Sequence, residues 1–448
     1  MLFAHALSMI ALQGGSSNQH VCRRTALALA GTTSALVCSS PSSAASIRGS
    51  SPGRPAVTTR TVPFVLIGVG GVGTALLKTI EGARALHADK YGIRFSAIAV
   101  CDRSAALAST ACELSDAALA ALIAHKANGA PLATLHGASL RVLTLDAAPA
   151  DAFLQSLVDK TAAEAPEAII VDCSASAATI PALVLAARRL RVVSANKKPF
   201  ADSSIATFAS LARNPTSPAR VRYEATVGAG LPVVATLSRL VGAHDRVGQV
   251  SGCLSGSLGY ITSGLQAGQT FSSVVARAKK LGYTEPDPRD DLSGADVARK
   301  ALILARTLGM DAELADVDVQ PLCPPQLASL PLDEFMTVLP SLDSELASRA
   351  AAAAADGRVL RYVATVTPPT SSARDGRLTV GLVSVPASSP LGSLSGTDNL
   401  VEITTDVYPA GRPLVLRGAG AGTVATASGV LSDMLELAFT GVARAPLS

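Results

Sequence analysis

Apolar residues recur along the chain as short continuous runs separated by longer helical stripes. The runs at 62–67, 95–100, 168–171 and 191–193 have the length and composition of buried strands. Helical segments separate these runs, as expected of parallel strands joined by crossover helices. The pattern therefore predicts an α/β fold with a doubly wound parallel sheet, in a first domain that spans residues 61–222.

The second half of the chain has a different pattern. Apolar runs that predict strands of an antiparallel sheet lie at 246–250, 359–366, 378–385, 400–404 and 414–416. An alanine-rich helix is predicted at 342–355 and a last helix at 423–437. We therefore expect an α+β domain over residues 223–422, suited to catalysis and to dimerisation, with residues 423–448 returning to complete the first domain.

A glycine-rich turn follows the first predicted strand. It consists of Gly68, Val69, Gly70, Gly71, Val72 and Gly73, and a helical run begins at Thr74. Between a strand and a helix, such glycines let the backbone approach a pyrophosphate over the helix N-terminus. The spacing predicts a Rossmann-type dinucleotide site, although a glycine-rich turn without a ligand also fits these residues.

The end of the second predicted strand bears on the choice of dinucleotide. Asp102 could accept a hydrogen bond from the ribose 2′-hydroxyl of NAD, whereas Arg103 could pair with the 2′-phosphate of NADP. These neighbours argue in opposite directions, so NAD and NADP both stay open.

Two more polar loops follow the third and fourth predicted strands, at the sheet edge where ligands of such folds lie. The hydroxyls of Ser174 and Ser176 could bond the ribose or amide groups of a cofactor, or simply shape a turn. Lys197, in the next loop, could stabilise negative charge on the cofactor or the substrate.

The most charged segment is 282–300, with eight charged residues of both signs. Ser293 and Asp296 have the spacing of a capping box, which predicts a helix that runs to about Leu308. Asp296 and Lys300 share one face of that helix, and Lys300 lies at the edge of its apolar stripe. Such a lysine is a candidate proton donor whose pKa burial would lower. An ordinary surface ion pair is the alternative.

Three further glycine-rich segments have two interpretations each. In the turn at 223–232, Glu224 beside exposed backbone carbonyls could hold a monovalent cation, or could serve a hinge or a helix cap. The segment at 251–260 could bring backbone close to a substrate, and 418–422 could contact the cofactor. Tight packing and a flexible helix start explain these last two segments equally well.

Composition excludes several classes of protein. The net charge of +4 is small for 448 residues, which argues against a nucleic-acid-binding surface. No apolar run reaches the roughly 18 to 20 residues of a membrane span. The seven cysteines show no CxxC pair and no partnered histidine, so we expect free thiols in a reducing compartment and no zinc site.

The first 60 residues differ from the rest, because the first acidic residue of the chain is Glu81 and several arginines lie among serine, alanine and threonine. This composition is typical of targeting sequences. We predict a transit peptide over residues 1–60 and a location in the plastid (chloroplast) stroma. A mitochondrial or cytoplasmic location, a secretory signal and an extension without an address are the alternatives.

Six separated motifs, in one order from about Val62 to Leu437, resemble homoserine dehydrogenases. The most specific is EPDPRDDL at 285–292, followed by Asp296 and Lys300. Asn-Lys at 196–197 and the turn at Glu224 resemble the family as well. Two positions depart slightly, because the family often has isoleucine at Cys253 and threonine at Ser257. The closest resemblance is to the dehydrogenase half of bifunctional aspartokinase–homoserine dehydrogenases, with no kinase part expected here.

The resemblance implies an NAD(P)-dependent, reversible interconversion of L-aspartate 4-semialdehyde and L-homoserine, in the biosynthesis of threonine and methionine. It makes Lys300 the general acid and Lys197 a second catalytic residue. Glu285 and Asp296 would bind the substrate's α-amino group. Further substrate-site positions are Asp290, Asp291, Tyr283 and Ser257.

The resemblance also implies cofactor contacts at Gly282 and Gly422. A monovalent cation, Na⁺ or K⁺, would be held by the Glu224 side chain with the backbone of Val227, Ala229 and Leu231. A homodimer or homotetramer is expected by resemblance. We expect no added regulatory domain after Leu437, so inhibition by threonine is not assumed.

Two other functions stay open: another Rossmann dehydrogenase of amino-acid metabolism, and a catalytically silent NAD(P)-binding regulator. A thiol-dependent semialdehyde dehydrogenase is disfavoured because no histidine lies near a cysteine in a recognisable motif. A silent regulator predicts loss of the site's charged residues, whereas Lys197, Glu285, Asp296 and Lys300 are all present.

Overall fold

The computed structural model describes residues 59–109, 113–137, 140–144, 149–213, 220–369 and 376–440. All but the last two residues of the predicted transit peptide lie outside these ranges. The end of the predicted terminal segment, 441–448, lies outside them too.

The described strands are β1 (Arg60–Ile67), β2 (Ile93–Cys101), β3 (Ala105–Ser109), β4 (Leu140–Thr144), β5 (Ile169–Asp172), β6 (Arg191–Ser194), β7 (Val221–Arg222), β8 (Val247–Cys253), β9 (Asp318–Val319), β10 (Arg358–Thr367), β11 (Arg377–Pro386), β12 (Asp398–Thr405) and β13 (Leu414–Ala419). The strands predicted from apolar runs are all confirmed, with ends that differ by a few residues.

The described α-helices are α1 (Gly71–Tyr91), α2 (Asp116–Ala127), α3 (Ala150–Glu164), α4 (Ile180–Arg189), α5 (Lys198–Ala201), α6 (Ile205–Phe208), α7 (Val233–Gly242), α8 (Gly256–Gln266), α9 (Phe271–Lys280), α10 (Pro288–Leu292), α11 (Ala295–Thr307), α12 (Pro325–Ala328), α13 (Leu332–Val338), α14 (Asp343–Ala355) and α15 (Thr423–Thr440). A π-helical turn, Ala209–Arg213, follows α6. Short 3₁₀ turns lie at Leu132–Thr134, Ala177–Thr179, Glu224–Thr226, Leu314–Asp316 and Leu339–Leu342.

The first sheet has the strand order β4-β3-β2-β1-β5-β6-β7. Strands β2, β1, β5, β6 and β7 are parallel to one another, which confirms the doubly wound prediction. The pairs β2–β3 and β3–β4 are antiparallel, and the sequence analysis did not predict β3, β4 or the short edge strand β7. The carboxyl ends of β1, β5 and β6 meet at one edge, where the glycine turn and both polar loops lie.

The second sheet has the strand order β13-β12-β8-β10-β11-β9. Its pairs are antiparallel except for the short strand β9, which runs parallel to β11 and was not predicted. Helices α8, α11 and α14 pack against this sheet. The antiparallel second layer is therefore confirmed.

The last helix, α15, packs against α1 of the first sheet. Its buried residues Val430, Met434 and Leu437 belong to the same apolar cluster as Phe64 and Leu66 of β1. The chain thus returns to the first layer after the second sheet, as the sequence analysis predicted for this helix.

Candidate active site

The glycine turn after β1 is built for close backbone approach. Gly68 has a φ of 89°, and a Cβ atom placed there would lie 2.6 Å from the backbone nitrogen of Ser174. A Cβ at Gly73 would lie 2.2 Å from the carbonyl oxygen of Gly68, so a side chain would disrupt the turn. At Gly70, by contrast, a Cβ would meet nothing within 4 Å. The backbone at the N-terminus of α1 therefore faces open space, which fits a pyrophosphate group.

Asp102, after β2, is occupied by the protein's own donors. One carboxylate oxygen accepts from the backbone nitrogen and hydroxyl of Ser104 and from the nitrogen of Ala105. The other accepts from Lys126 Nζ at 2.7 Å and from the nitrogen of Leu132. Although burial alone would raise it, these bonds lower the pKa of Asp102 to about 2. The expected role of Asp102 as a reader of ribose would require replacing these bonds.

Arg103, directly after this carboxylate, is exposed and makes no hydrogen bond or ion pair with the described part of the chain. Its neighbour Cys101 accepts a backbone hydrogen bond from Gly68 at 2.9 Å, which places the end of β2 beside the glycine turn. The guanidinium is thus a free positive charge next to the candidate dinucleotide site.

A buried amide joins the loops after β5 and β6. Asn196, only 2% exposed, directs its side-chain nitrogen at the Asp172 carboxylate (3.0 Å), the Ser176 carbonyl (2.9 Å) and the Thr179 hydroxyl (3.1 Å). Ser174 binds the same carboxylate through its backbone nitrogen. Burial raises the pKa of Asp172 despite these bonds. Ser174, Ser176 and Lys197 are therefore held together at the crevice by residues to which the sequence analysis gave no role.

The helix that carries Lys300 begins differently from the prediction. The capping box of Ser293 and Asp296 is wrong: the N-cap of α11 is Gly294, with a φ of 73° and no side-chain cap. The separate short helix α10 precedes it, and Ser293 ends that helix, donating through its hydroxyl to the Asp290 carbonyl. Asp296 is thereby free to turn toward two lysines.

Three charged side chains, those of Lys197, Asp296 and Lys300, meet where the loop after β6 contacts helix α11. The Asp296 carboxylate lies 2.9 Å from Lys197 Nζ and 2.9 Å from Lys300 Nζ. Burial alone would raise the pKa of Asp296, but the charges and hydrogen bonds of Lys300 and Lys197 hold it well below its usual range. The surface ion pair considered as an alternative is wrong, because the Lys300 side chain is only 10% exposed.

Lys300 is held from two sides. Its ammonium donates to the Leu254 carbonyl at 2.5 Å, in the loop after β8, as well as pairing with Asp296. Burial lowers the pKa of Lys300, and the nearby charge of Lys197 acts in the same direction, while Asp296 and Asp291 oppose the change. The direction is the one expected of a proton donor near neutral pH.

The segment from Tyr283 through α10 contains both held and free carboxylates. Asp291 accepts from the hydroxyl of buried Ser257 at 2.6 Å and from the backbone nitrogen of Glu285 at 2.8 Å. The side chains of Glu285 and Asp290 are exposed, and neither has a partner in the described ranges. Tyr283 is exposed as well, with its ring edge-on to Tyr260 at 5.0 Å. Asp291 and Ser257 thus brace the loop, whereas Glu285 and Asp290 remain available to a ligand.

The two glycines expected to line the cofactor have different surroundings. Gly282, with a φ of 71°, ends α9, and its nitrogen donates to the Lys279 carbonyl, which explains its left-handed backbone without a ligand. Gly422, with a φ of 108°, precedes α15, whose first residue, Thr423, would lie 2.7 Å from a Cβ at Gly71. Only Gly422 is placed beside the glycine turn by these contacts.

Glu224 caps a helix. Its two carboxylate oxygens accept from the backbone nitrogens of Val234 and Ala235, each at 2.7 Å, at the start of α7. Burial raises its pKa to about 7 against those bonds. The helix-cap interpretation is confirmed. Each oxygen keeps a second lone pair, so a hard monovalent cation still fits this donor.

The backbone donors predicted for the cation lie in the same turn. Ala229 has a φ of 56°, which bends the chain at that carbonyl. The Leu231 carbonyl accepts from the nitrogen of Val233 at 2.8 Å, so it is already used once. No backbone hydrogen bond to the Val227 carbonyl is recorded in the described turn. Oxygen donors of this kind fit a monovalent cation better than a transition metal.

The chain is similar to known proteins over most of its length. A family profile described as "Homoserine dehydrogenase" matches residues 232–435. The homoserine dehydrogenase of Schizosaccharomyces pombe is 38% identical over 292 residues, which cover 63% of this chain and 76% of that protein. The chain belongs to the homoserine dehydrogenase family. Bifunctional relatives and solved structures match a larger share of this chain.

The bifunctional aspartokinase/homoserine dehydrogenase 2, chloroplastic, of Zea mays is 36% identical over 382 residues, or 84% of this chain. The chain spans only 38% of that protein's length. Among structures, a Candida auris protein of unknown function has a TM-score of 0.71 and 32% identity, covering 85% of this chain and 98% of that one. A hyperthermophilic archaeal homoserine dehydrogenase in complex with NADPH has a TM-score of 0.62, 86% and 99% coverage, and the same fold at 22% identity.

Among the described residues, no helix is long and apolar enough to cross a membrane, and no cluster of three or more metal-ligating side chains occurs. The described cysteines, Cys101, Cys173, Cys253 and Cys323, are free thiols. Burial raises the pKa of Cys101 to about 12, so a thiolate there is disfavoured.

Proposed function

We propose that this chain is a homoserine dehydrogenase that interconverts L-aspartate 4-semialdehyde and L-homoserine with a nicotinamide cofactor. One observation carries the proposal: Lys197, Asp296 and Lys300 form one charged cluster at the crevice beyond the parallel strands. A reducible carbonyl in such a crevice needs a proton donor beside the site of hydride transfer, and in this proposal Lys300 is that donor.

A bound nicotinamide dinucleotide would supply the hydride to the aldehyde carbon. As charge develops on the carbonyl oxygen, the Lys300 ammonium donates a proton to it. The ammonium of Lys197 stabilises the same developing charge, and Asp296 keeps both lysines oriented. In the oxidative direction, neutral Lys300 takes the hydroxyl proton back.

The exposed carboxylates in α10 and just before it suit an amino-acid substrate. Glu285 and Asp290 are exposed and unpaired within the described structure, so either can receive the substrate's ammonium group. Asp296 is committed to two lysines and contributes electrostatically. In this proposal Glu285 is the primary contact for the ammonium, and Asp291 with Ser257 fixes the loop that carries it.

NADPH is the proposed cofactor. The Asp102 carboxylate is filled by five hydrogen bonds, so it has little capacity left for a ribose 2′-hydroxyl. Arg103 is free to pair with a 2′-phosphate beside the glycine turn. Asp102, the residue that would favour NAD, therefore already has its hydrogen-bonding capacity used within the protein.

Four other assignments belong to the proposal. Glu224, with the carbonyls of Val227, Ala229 and Leu231, would hold a monovalent cation. Residues 61–222 with α15 would form the dinucleotide domain and 223–422 the catalytic and dimerisation domain. Residues 1–60 would direct the chain to a plastid, which the chloroplastic bifunctional relatives support. A homodimer or homotetramer remains the expected assembly.

One assay tests the central proposal. Protein lacking residues 1–60 is mixed with L-aspartate 4-semialdehyde and NADPH or NADH, and the nicotinamide absorbance is followed. Oxidation that depends on the semialdehyde is expected, with NADPH preferred. If the protein binds NADPH in a direct measurement but oxidises neither cofactor, the silent NAD(P)-binding regulator would be favoured.

A further inference from the structure

One stripe of helix α11 faces the chain segment that follows Lys197. Asp296, Arg299 and Arg306 lie three and seven residues apart, which places them on one side of a helix at about 100° per residue. Each reaches the same segment: Asp296 binds Lys197, Arg299 binds Asp202 at 2.7 Å, and Arg306 binds two carbonyls of that segment. Three side chains at successive positions along the helix therefore hold the segment against α11.

Arg306 makes the buried part of this fastening. Its side chain is fully buried, and one terminal nitrogen donates to the carbonyls of Phe200 and Ser203, each at 2.9 Å. The other terminal nitrogen pairs with Glu313 at 2.7 Å, and Nε donates to the Ala312 carbonyl. A planar guanidinium can serve all these acceptors at once, which a lysine ammonium cannot do.

The neighbours of Arg306 extend the same contact. Glu313 uses its second carboxylate oxygen to accept from the backbone nitrogen of Ile205 at 2.8 Å. Phe200 stacks on Tyr223 at 4.6 Å, and the Tyr223 hydroxyl bonds to Thr307 of α11 at 3.0 Å. The segment from Lys197 to Ile205 therefore has few ways to shift relative to α11 while Arg306 is in place.

We infer that Arg306 is a positioning residue for the charged cluster: it fixes the segment carrying Lys197 against the helix carrying Asp296 and Lys300. This inference rests on the proposed function. Arg306 touches neither substrate nor cofactor, and its side chain reaches the segment three and six residues beyond Lys197. Without it, the short helix α5 can move and carry the Lys197 ammonium away from Asp296.

The groups that face Lys300 make this effect measurable. They are Asp296 on its own helix, Lys197 from the fastened segment, Asp291 from α10 and the Leu254 carbonyl from the loop after β8. Lys197 lowers the pKa of Lys300, so its departure raises that pKa. The rate of reduction falls as Lys300 loses its proton, and this fall would then occur at higher pH.

Two substitutions test this contact between the segment and α11, one at the buried Arg306 and one at the partly exposed Glu313. Arg306→Lys keeps a charge but cannot bond both carbonyls, and Glu313→Gln weakens the partly exposed pair that orients the guanidinium. We expect Arg306→Lys to lower kcat by up to about 100-fold, the scale of an ångström-sized misplacement. Glu313→Gln should lower it less. The dissociation constant for NADPH, measured by fluorescence, should change less than twofold in both.

Arg213→Lys is the matched control. Arg213 also binds carbonyls at the end of α11, those of Arg306 and Met310, but makes no recorded bond to residues 197–205. It should lower thermal stability without changing kcat or the pH profile. If Arg306→Lys does not fold, the Glu313→Gln profile decides the question alone.

The pH dependence of kcat separates positioning from simple destabilisation. The basic limb should move to higher pH in Arg306→Lys and Glu313→Gln and stay in place in Arg213→Lys. Folded variants of Arg306 and Glu313 with wild-type kcat and an unmoved basic limb would overturn the inference. If the wild-type protein itself does not oxidise NADPH with the semialdehyde, it is the proposed function that fails.

Discussion

Lys197 and Lys300 share a single carboxylate, that of Asp296, at 2.9 Å from each ammonium, although the two lysines come from different layers of the fold. Lys197 follows β6 of the parallel sheet, and Lys300 lies on the helix that packs on the antiparallel sheet. Two ammonium groups that contact the same carboxylate are stable together only because that carboxylate stays ionised between them. The cluster thus holds one proton donor and one fixed positive charge at the same crevice.

The first prediction concerns the proton donor. Lys300→Ala should lower kcat for semialdehyde reduction by about 100-fold to 10,000-fold, the usual contribution of general acid catalysis. NADPH affinity should stay unchanged, because in the described structure the Lys300 ammonium bonds to Leu254 and Asp296 and to no residue of the glycine turn. Steady-state kinetics and a fluorescence titration measure the two quantities. Lys78→Ala, on the exposed face of α1, is the control. Near-normal turnover in Lys300→Ala would remove Lys300 from the mechanism.

The second prediction concerns the shared carboxylate. In Asp296→Asn the opposing charge beside Lys300 is lost, so the pKa of Lys300, already lowered by burial, falls further. Reduction requires protonated Lys300, so the basic limb of the kcat profile should move to lower pH, and kcat near neutral pH should drop on the order of tenfold. Asp333→Asn is the control, since that carboxylate is exposed on α13 and has no role in the proposed site. A limb that stays in place would show that Asp296 does not govern the donor.

The third prediction concerns cofactor choice. Arg103→Ala should raise the KM for NADPH by about 10-fold to 100-fold, the worth of a hydrogen bond to a charged group, and leave the KM for NADH unchanged. Arg103→Lys should restore part of the discrimination. Equal effects on both cofactors would mean that Arg103 reads something other than the 2′-phosphate.

Much of this arrangement was predictable from local sequence. Most strands of both sheets are apolar runs bounded by polar residues, and the spacing of the glycines from Gly68 to Gly73 indicates the turn. Lys197 follows a short apolar strand, and Lys300 lies at the edge of the apolar stripe of a helix in the most charged segment, so the local sequence indicates both. Such signals are contained within about twenty residues, and the structure leaves them in place.

What the sequence could not provide depends on contacts between distant residues. The capping box at Ser293 and Asp296 has ideal spacing, but Lys197, about a hundred positions earlier, takes the carboxylate instead. Asp102 resembles a ribose reader until Lys126 and Leu132 are seen to fill it. Arg306 looks like a surface residue of an amphipathic helix, and only the packed segment 200–203 shows why it is buried. An asparagine two residues after a buried strand, such as Asn196, is a signal that could have been used.

The last prediction concerns the cation proposed at Glu224. Because burial raises the pKa of this carboxyl to about 7, it is largely protonated at pH 5.5 and ionised at pH 8.5. Relative to the unfolded chain, where it ionises near 4.5, its contribution to stability is present at low pH and is lost as pH rises through 7. A monovalent cation binds only the ionised form and should restore part of that loss. In thermal unfolding, Na⁺ or K⁺ should therefore raise Tm at pH 8.5 by on the order of 2 °C over choline at equal ionic strength, and have no effect at pH 5.5. Two substitutions serve as test and control. Glu224→Gln should abolish the rise in Tm that Na⁺ or K⁺ gives at pH 8.5. Glu402→Gln, at another carboxyl whose pKa burial raises, should retain that rise. Equal Tm values in sodium, potassium and choline at pH 8.5 would leave Glu224 as a helix cap alone.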